Sequence, residues 1–145
     1  MRYINNMDYV IKVDTCFEEV MRECATRPRD ENTWISEEMI VSYVNLHHLG
    51  FAHSIEVFVK ENLVGGLYGV SLRGAFFGES MFNRVSNASK IALYCLIQRL
   101  LEKKYRLLDI QMITPTTELF GAKLISREKY LKKLEYALQI VCKFV

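Results

Sequence analysis

One hundred and forty-five residues favour one compact unit and exclude a two-domain enzyme. Half the side chains are apolar, 12% are aromatic and 25% are charged, which excludes a disordered chain. The net charge of +2, from 19 basic and 17 acidic residues, gives no bulk polyanion binder. No run reaches the roughly 20 apolar residues of a membrane span, and Met1 to Asn6 leads into no secretory core, so the expectation is a cytoplasmic protein without a membrane.

Charge is divided along the chain. Residues 1–62 hold six basic and eleven acidic side chains, while residues 99–133 hold nine and four. Both an RNA-facing edge and ordinary solvated helix faces fit that division. Cys16, Cys24, Cys95 and Cys142 are widely spaced and read as buried thiols. His47, His48 and His53 have no tetrahedral zinc spacing, because adjacent side chains on a helix diverge by about 100°, so no metal is expected.

Tyr9 to Val13 is a β-rich run, and Phe17, Val20, Met21 and Cys24 then recur at helical spacing up to Ala25. Arg27 to Asn32 reads as a loop around Pro28. Ser36 with Glu37 and Glu38 starts a second helix, which Gly50 stops. From Ala52 to Phe82 the period becomes two, with turns at Lys60 to Asn62 and Ser71 to Gly74, giving three antiparallel strands, the last over Ala75 to Glu79. Gly65, Gly66, Gly69, Gly74 and Gly78 in this region suggest bulges or a closely approached backbone.

Ser86 or Asn87 caps the next helix, whose stripe is Leu93, Leu96, Ile97, Leu100 and Leu101. Leu107 to Met112 reads as a strand buried on both faces after a crossover helix. Thr114 to Phe120 forms a helical turn around Pro115, and Ser126 to Gln139 a last helix. The resulting order, a mixed sheet with an antiparallel meander flanked by helices, is α/β (α+β) and resembles the GNAT acyltransferase fold. Acyl-CoA users of that fold cradle pyrophosphate in a glycine-rich turn. Met81 to Lys90 has no glycine, which disfavours CoA. In its place is a helix start with Asn87, Ser89, Arg84 and Lys90, suited to a phosphate or nucleotide sugar, although plain capping explains the same residues.

Thr33-Trp34-Ile35, the run Leu49 to Val57, Leu63 to Val70, Phe77 to Phe82, Asn87 to Lys90, Asp109-Ile110-Gln111 and Gly121-Ala122 closely resemble the leucyl/phenylalanyl-tRNA–protein transferase family. The resemblance runs from about Tyr9 to Leu138 and implies a single GNAT-like aminoacyltransferase domain over residues 1–145. It implies transfer of Leu, Phe or sometimes Met from charged tRNA to proteins beginning with Arg or Lys, marking them for degradation, with no metal and no CoA or other cofactor. The partners implied are aminoacyl-tRNA and the acceptor protein.

The implied roles are specific. Asp109 and Gln111, two apart on a strand, point to one face and touch one substrate. An acceptor α-amine has an unperturbed pKa near 8, so about a tenth is neutral at pH 7 and a weak acceptor suffices to guide its proton. By resemblance, the Gln111 carbonyl orients that amine and Asp109 polarises the Gln111 amide; a structural Asp-Gln pair is the alternative. Glu79, at the end of an apolar strand, wants a cation, which the acceptor supplies by resemblance and Arg84 supplies otherwise. Leu67, Met81, Leu96, Leu100 and Leu108 match the family's apolar slot for the transferred side chain, although such a stripe is ordinarily core. Trp34 matches an aromatic that packs on the terminal adenosine, where stacking contributes about 1–3 kcal/mol, or serves the core.

Departures accompany the resemblance. Typical members carry an N-terminal domain rich in Trp and Pro, whereas only Met1 to Met7 precede the match, which leaves room for a partner that supplies it. Thr116 to Leu119 replaces a His-containing run. The apolar end Ile140 to Val145 is expected to be an edge strand or a subunit contact. The competing functions are a non-catalytic relative that binds aminoacyl-tRNA ends or basic N-termini, and an acyl-CoA N-acetyltransferase lacking its phosphate loop.

Overall fold

The computed structural model describes residues 8–26, 35–111 and 113–145. Trp34 and the Arg27 to Asn32 loop lie outside the described residues. Five strands form one sheet in the order β1-β2-β3-β4-β5, comprising β1 (Tyr9–Val13), β2 (Ala52–Val59), β3 (Asn62–Leu72), β4 (Ala75–Asn83) and β5 (Leu107–Asp109). The first three pairings are antiparallel and β4 with β5 is parallel, so the expected meander and crossover are both present. The helices are α1 (Phe17–Ala25), α2 (Glu37–His48), α3 (Ala88–Glu102), α4 (Pro115–Leu119) and α5 (Arg127–Ala137). Among the described residues no helix is long and apolar enough to cross a membrane.

Apolar residues divide between the two faces of the sheet. On one face Ile55, Val57, Leu67 and Phe76 pack with Ile91, Leu93, Leu96 and Leu100 of α3. On the other Ala52, Tyr68 and Phe82 pack with Phe17, Val20 and Met21 of α1 and Ile40 of α2. Local chemistry sets the ends of α2: Ser36 Oγ accepts from Met39 N at 3.2 Å, and Gly50, at φ +89°, turns the chain out of the helix. A Cβ on Gly65 would stand 2.5 Å from Ala88 Cβ, so the glycine admits the start of α3 against the sheet.

The β1–α1 turn is fastened to β2 by two carboxylates. Glu56, fully buried, accepts from Thr15 N at 3.0 Å, from Thr15 Oγ1 at 2.6 Å and from Ser54 Oγ. Asp14 Oδ1 accepts from Ser54 N at 2.8 Å, and its Oδ2 lies 2.7 Å from His53 Nδ1.

Several expectations change. Of the four thiols expected to be buried, Cys24 is, whereas Cys16, Cys95 and Cys142 are half-buried. β4 runs on to Asn83 instead of stopping at Glu79. β5 stops at Asp109 and is half-buried, not buried on both faces. Asn87 precedes α3 in the left-handed region, φ +72°, and its side chain makes no capping hydrogen bond. Leu101, assigned to the buried stripe, is 64% exposed.

The C-terminal run is neither an edge strand nor an exposed contact along its whole length. Phe144 is 2% exposed and stacks on His53 and Phe76 at centroid distances of 4.6 and 5.2 Å. Arg99 Nε donates to the Phe144 carbonyl oxygen at 2.6 Å, and the guanidinium lies over the ring. An aromatic ring and one cation thus draw the tail into the core. Phe144→Ala is expected to destabilise the fold by about 3 kcal/mol in urea unfolding, the ordinary loss for a buried phenyl ring. An unchanged midpoint would show that the tail is not held.

Candidate active site

The pairing of β4 with β5 creates the site by ending early. The last paired residues are Phe77 and Asp109, whereas β4 remains paired with β3 as far as Asn83. Beyond Phe77 the two parallel chains part, and a cavity of about 1090 Å³ opens between residues 78–84 on one side and Ile110, Gln111, Thr114, Thr116 and Thr117 on the other.

A β-bulge aims the carboxylate into this opening. Gly69 pairs with Gly78 and Tyr68 with Ser80, so Glu79 has no partner on β3. The extra residue reverses the alternation along β4. Phe76 and Met81, an odd number of positions apart, consequently pack on the same α3 face.

Gln111 reaches the same place by a different device. The strand has already ended, and Gln111 has φ +69°, in the left-handed region, at a cost of about 1–2 kcal/mol for a residue with a Cβ. Asp109 offsets that cost: its Oδ1 accepts from Gln111 N at 2.8 Å, and its Oδ2 accepts from Tyr130 Oη at 2.6 Å. The Gln111 side chain then donates through Nε2 to Glu79 Oε2 at 2.9 Å. Tyr43 of α2 is near enough to Glu79 for the carboxylate's charge to act on its phenol.

The expected convergence of Glu79, Asp109 and Gln111 is therefore present, with a different division of contacts. Strand alternation does not align Asp109 with Gln111; a left-handed turn does. Asp109 touches the Gln111 backbone and not its side-chain amide, and the carboxylate beside that amide is Glu79. Arg84 does not neutralise Glu79, because its guanidinium is paired with Glu23 of α1.

The apolar residues divide between two spaces. Leu67, Met81 and Leu96 line the large cavity, and Leu93 joins them. Leu108 lines an adjoining cavity of about 580 Å³, which shares Gln111 as a wall. Leu100, 5% exposed, belongs to the core beneath α3 and lines neither space. Ser89 lines the large cavity and donates to Asn83 Oδ1 at 3.2 Å, whereas Asn87 stands outside it. The large cavity accordingly joins an apolar wall to a carboxylate and an amide. That combination can hold an apolar side chain and present a hydrogen-bond acceptor to an amine beside it. Among the described residues, no group of three His, Cys, Asp or Glu could hold a metal ion.

Sequence reasoning missed both phenols. Tyr130 lies in the run that carries the resemblance, but no spacing rule links it to Asp109. Tyr43 stands at an ordinary apolar position of α2, partly buried against the core that includes Tyr68. Burial, followed by the charge of Glu79, pushes the Tyr43 phenol up. Burial, with the hydrogen bond and charge of Asp109 behind it, pushes Tyr130 up to about 12.

A family model described as leucyl/phenylalanyl-tRNA protein transferase matches residues 1–135. A leucyl/phenylalanyl-tRNA–protein transferase from Gloeobacter violaceus is 46% identical over 144 residues, covering 99% of this chain and 73% of its own length. Another, from a Ruegeria species, is 52% identical over 131 residues, covering 90% of this chain and 61% of its own. Among solved structures, an aminoglycoside acetyltransferase from an uncultured soil metagenomic sample, in complex with sisomicin, aligns with a TM-score of 0.63 at 14% identity, covering 86% of this chain and 95% of its own. A probable acetyltransferase aligns at 0.64 with 9% identity, covering 83% and 92%. The structural likeness shows the GNAT-like fold and nothing of substrate. By sequence, the chain belongs to the leucyl/phenylalanyl-tRNA–protein transferase family.

Proposed function

We propose that residues 1–145 act as one GNAT-like domain that moves Leu or Phe, and sometimes Met, from charged tRNA to acceptor proteins beginning with Arg or Lys, marking them for degradation. The observation that carries this reading is the Gln111–Glu79 hydrogen bond at the edge of an apolar cavity. Charged tRNA is a cytoplasmic substrate, which supports a cytoplasmic place of work.

The donor ester already stores the energy of the reaction, so positioning and proton guidance are what the protein must supply. Leu67, Met81, Leu93 and Leu96 take the aminoacyl side chain, with Leu108 lining the adjoining space. The chemistry of an apolar wall accepts either Leu or Phe. With its NH2 turned to Glu79, the Gln111 amide offers its carbonyl oxygen to the attacking amine. The amine nitrogen forms a bond to the ester carbonyl carbon, the carbon–oxygen bond to the ribose breaks, and the amine proton passes to the departing ribose oxygen. Gln111 orients that amine and does not change protonation. Glu79 draws the acceptor's cation, either its α-ammonium or its Arg or Lys side chain. Ser89 and Asn87, near the start of α3, serve the nucleotide end, and Trp34 stacks on the terminal adenosine.

Transfer of labelled Leu from charged tRNA to an Arg-initiated peptide tests this reading. Gln111→Ala is expected to lower kcat by about a hundredfold. Glu79→Ala is expected to raise KM for the Arg-initiated peptide more than for an Ala-initiated one. Equal rates for wild type and Gln111→Ala contradict the assignment. The acceptor α-amine must be neutral to attack, so the rate is expected to rise from pH 6 and level off above about pH 8. A rate that falls across that interval contradicts a free amine as nucleophile.

A further inference from the structure

We propose that Tyr130 is a positioning residue for aminoacyl transfer: through Asp109 it fixes the left-handed turn that aims Gln111 at Glu79. The inference rests on the role given above to Gln111 and extends it to a helix with no other stated part in the site.

α5 is a largely exposed helix in which Tyr130, Leu134 and Ala137 are the residues turned away from solvent. Of these only Tyr130 carries a polar group. Its hydroxyl donates to Asp109 Oδ2 at 2.6 Å, a short bond of the kind a carboxylate acceptor makes. The opposite oxygen accepts the Gln111 N–H at 2.8 Å. A carboxylate gripped at both oxygens by groups from different elements cannot rotate about its own bond without losing one of them. The Asp109 plane therefore fixes where the Gln111 amide nitrogen stands, and the left-handed backbone at Gln111 is held from α5. With the hydroxyl absent, Asp109 retains one contact and is free to swing, and the Gln111–Glu79 bond loses its fixed base. A side chain held within a fraction of an ångström of its reactant can lose about a hundredfold in rate when that placement slackens by 1 Å. The Tyr130 phenol, pushed up to about 12 by burial and Asp109, stays protonated and donates across the working pH range.

Three measurements on the full chain test this, with Tyr136→Phe on the exposed side of α5 as control. Tyr130→Phe is expected to lower kcat by about tenfold or more, leave KM for charged tRNA and for the Arg-initiated peptide nearly unchanged, and act by the same factor from pH 6 to 9. In a Gln111→Ala background the same substitution should have no further effect on kcat, since the group it positions is gone. By NMR, hydrogen exchange of the Gln111 backbone amide should quicken by about tenfold in Tyr130→Phe and not in Tyr136→Phe. This last readout requires no turnover, and Asp109→Asn, which weakens the same acceptor, should reproduce it.

Additive losses in the double variant, a loss expressed only in KM, or unaltered Gln111 exchange would overturn the inference while leaving the role of Gln111 intact. Unchanged transfer by Gln111→Ala alone would overturn the underlying reading and the inference with it.

Discussion

The hydrogen bond between Gln111 and Glu79 spans the gap left where β4 and β5 cease to pair, and the site depends on it. Neither residue reaches that point through regular structure. Glu79 is the unpaired residue of a bulge, and Gln111 stands in a left-handed turn just past the end of its strand. Both are local departures from ideal geometry, held in place by the packed sheet and by α5. Had β4 and β5 stayed paired beyond Phe77, the space between them would be closed.

The same economy runs through the polar groups. Among the described residues, charges near the site are mostly committed to protein partners: Arg84 to Glu23, and Asp109 to Tyr130 and the Gln111 backbone. Glu79 accepts a hydrogen bond from the neutral Gln111 amide, whereas both oxygens of Asp109 are engaged within the protein. Neutral donors hold a carboxylate in position without cancelling its charge, which leaves it able to attract a cationic substrate. The apolar wall of Leu67, Met81, Leu93 and Leu96 lies beside that charge, so one cavity can hold an uncharged side chain and a basic amine together.

Much of the architecture was legible in the sequence: period-two patterning gave the central meander, β-rich and apolar runs marked β1 and β5, and period-3.6 patterning marked the long helices. Ser36 and Gly50 bound α2 by chemistry that any single sequence displays. Positions set by departures from the pattern were not legible. The glycines suggested a bulge in this region, and one lies at Gly69 and Gly78, but periodicity did not show that Glu79 is the residue it leaves unpaired. The early end of β5 hid in an apolar run, Leu107 to Met112, that looked like continuous strand. Tyr130 and Phe144 act across long separations in the chain, where contact with Asp109 or with His53 depends on tertiary packing alone. Motif resemblance found Glu79, Asp109 and Gln111 together, but it assigned the polarising carboxylate to Asp109 where Glu79 makes that contact.

The central claim is that the Gln111 side-chain amide and the Glu79 carboxylate form one receptor for a free basic N-terminus. Its most direct measurement is the NMR signal of the Gln111 side-chain NH2 during titration with an Arg-initiated dipeptide and with the same dipeptide acetylated on its α-amine. A saturable shift is expected with the free amine, a much weaker one with the acetylated form, and loss of both in Glu79→Gln. Equal shifts from the two peptides, or a response that survives in Glu79→Gln, would contradict it.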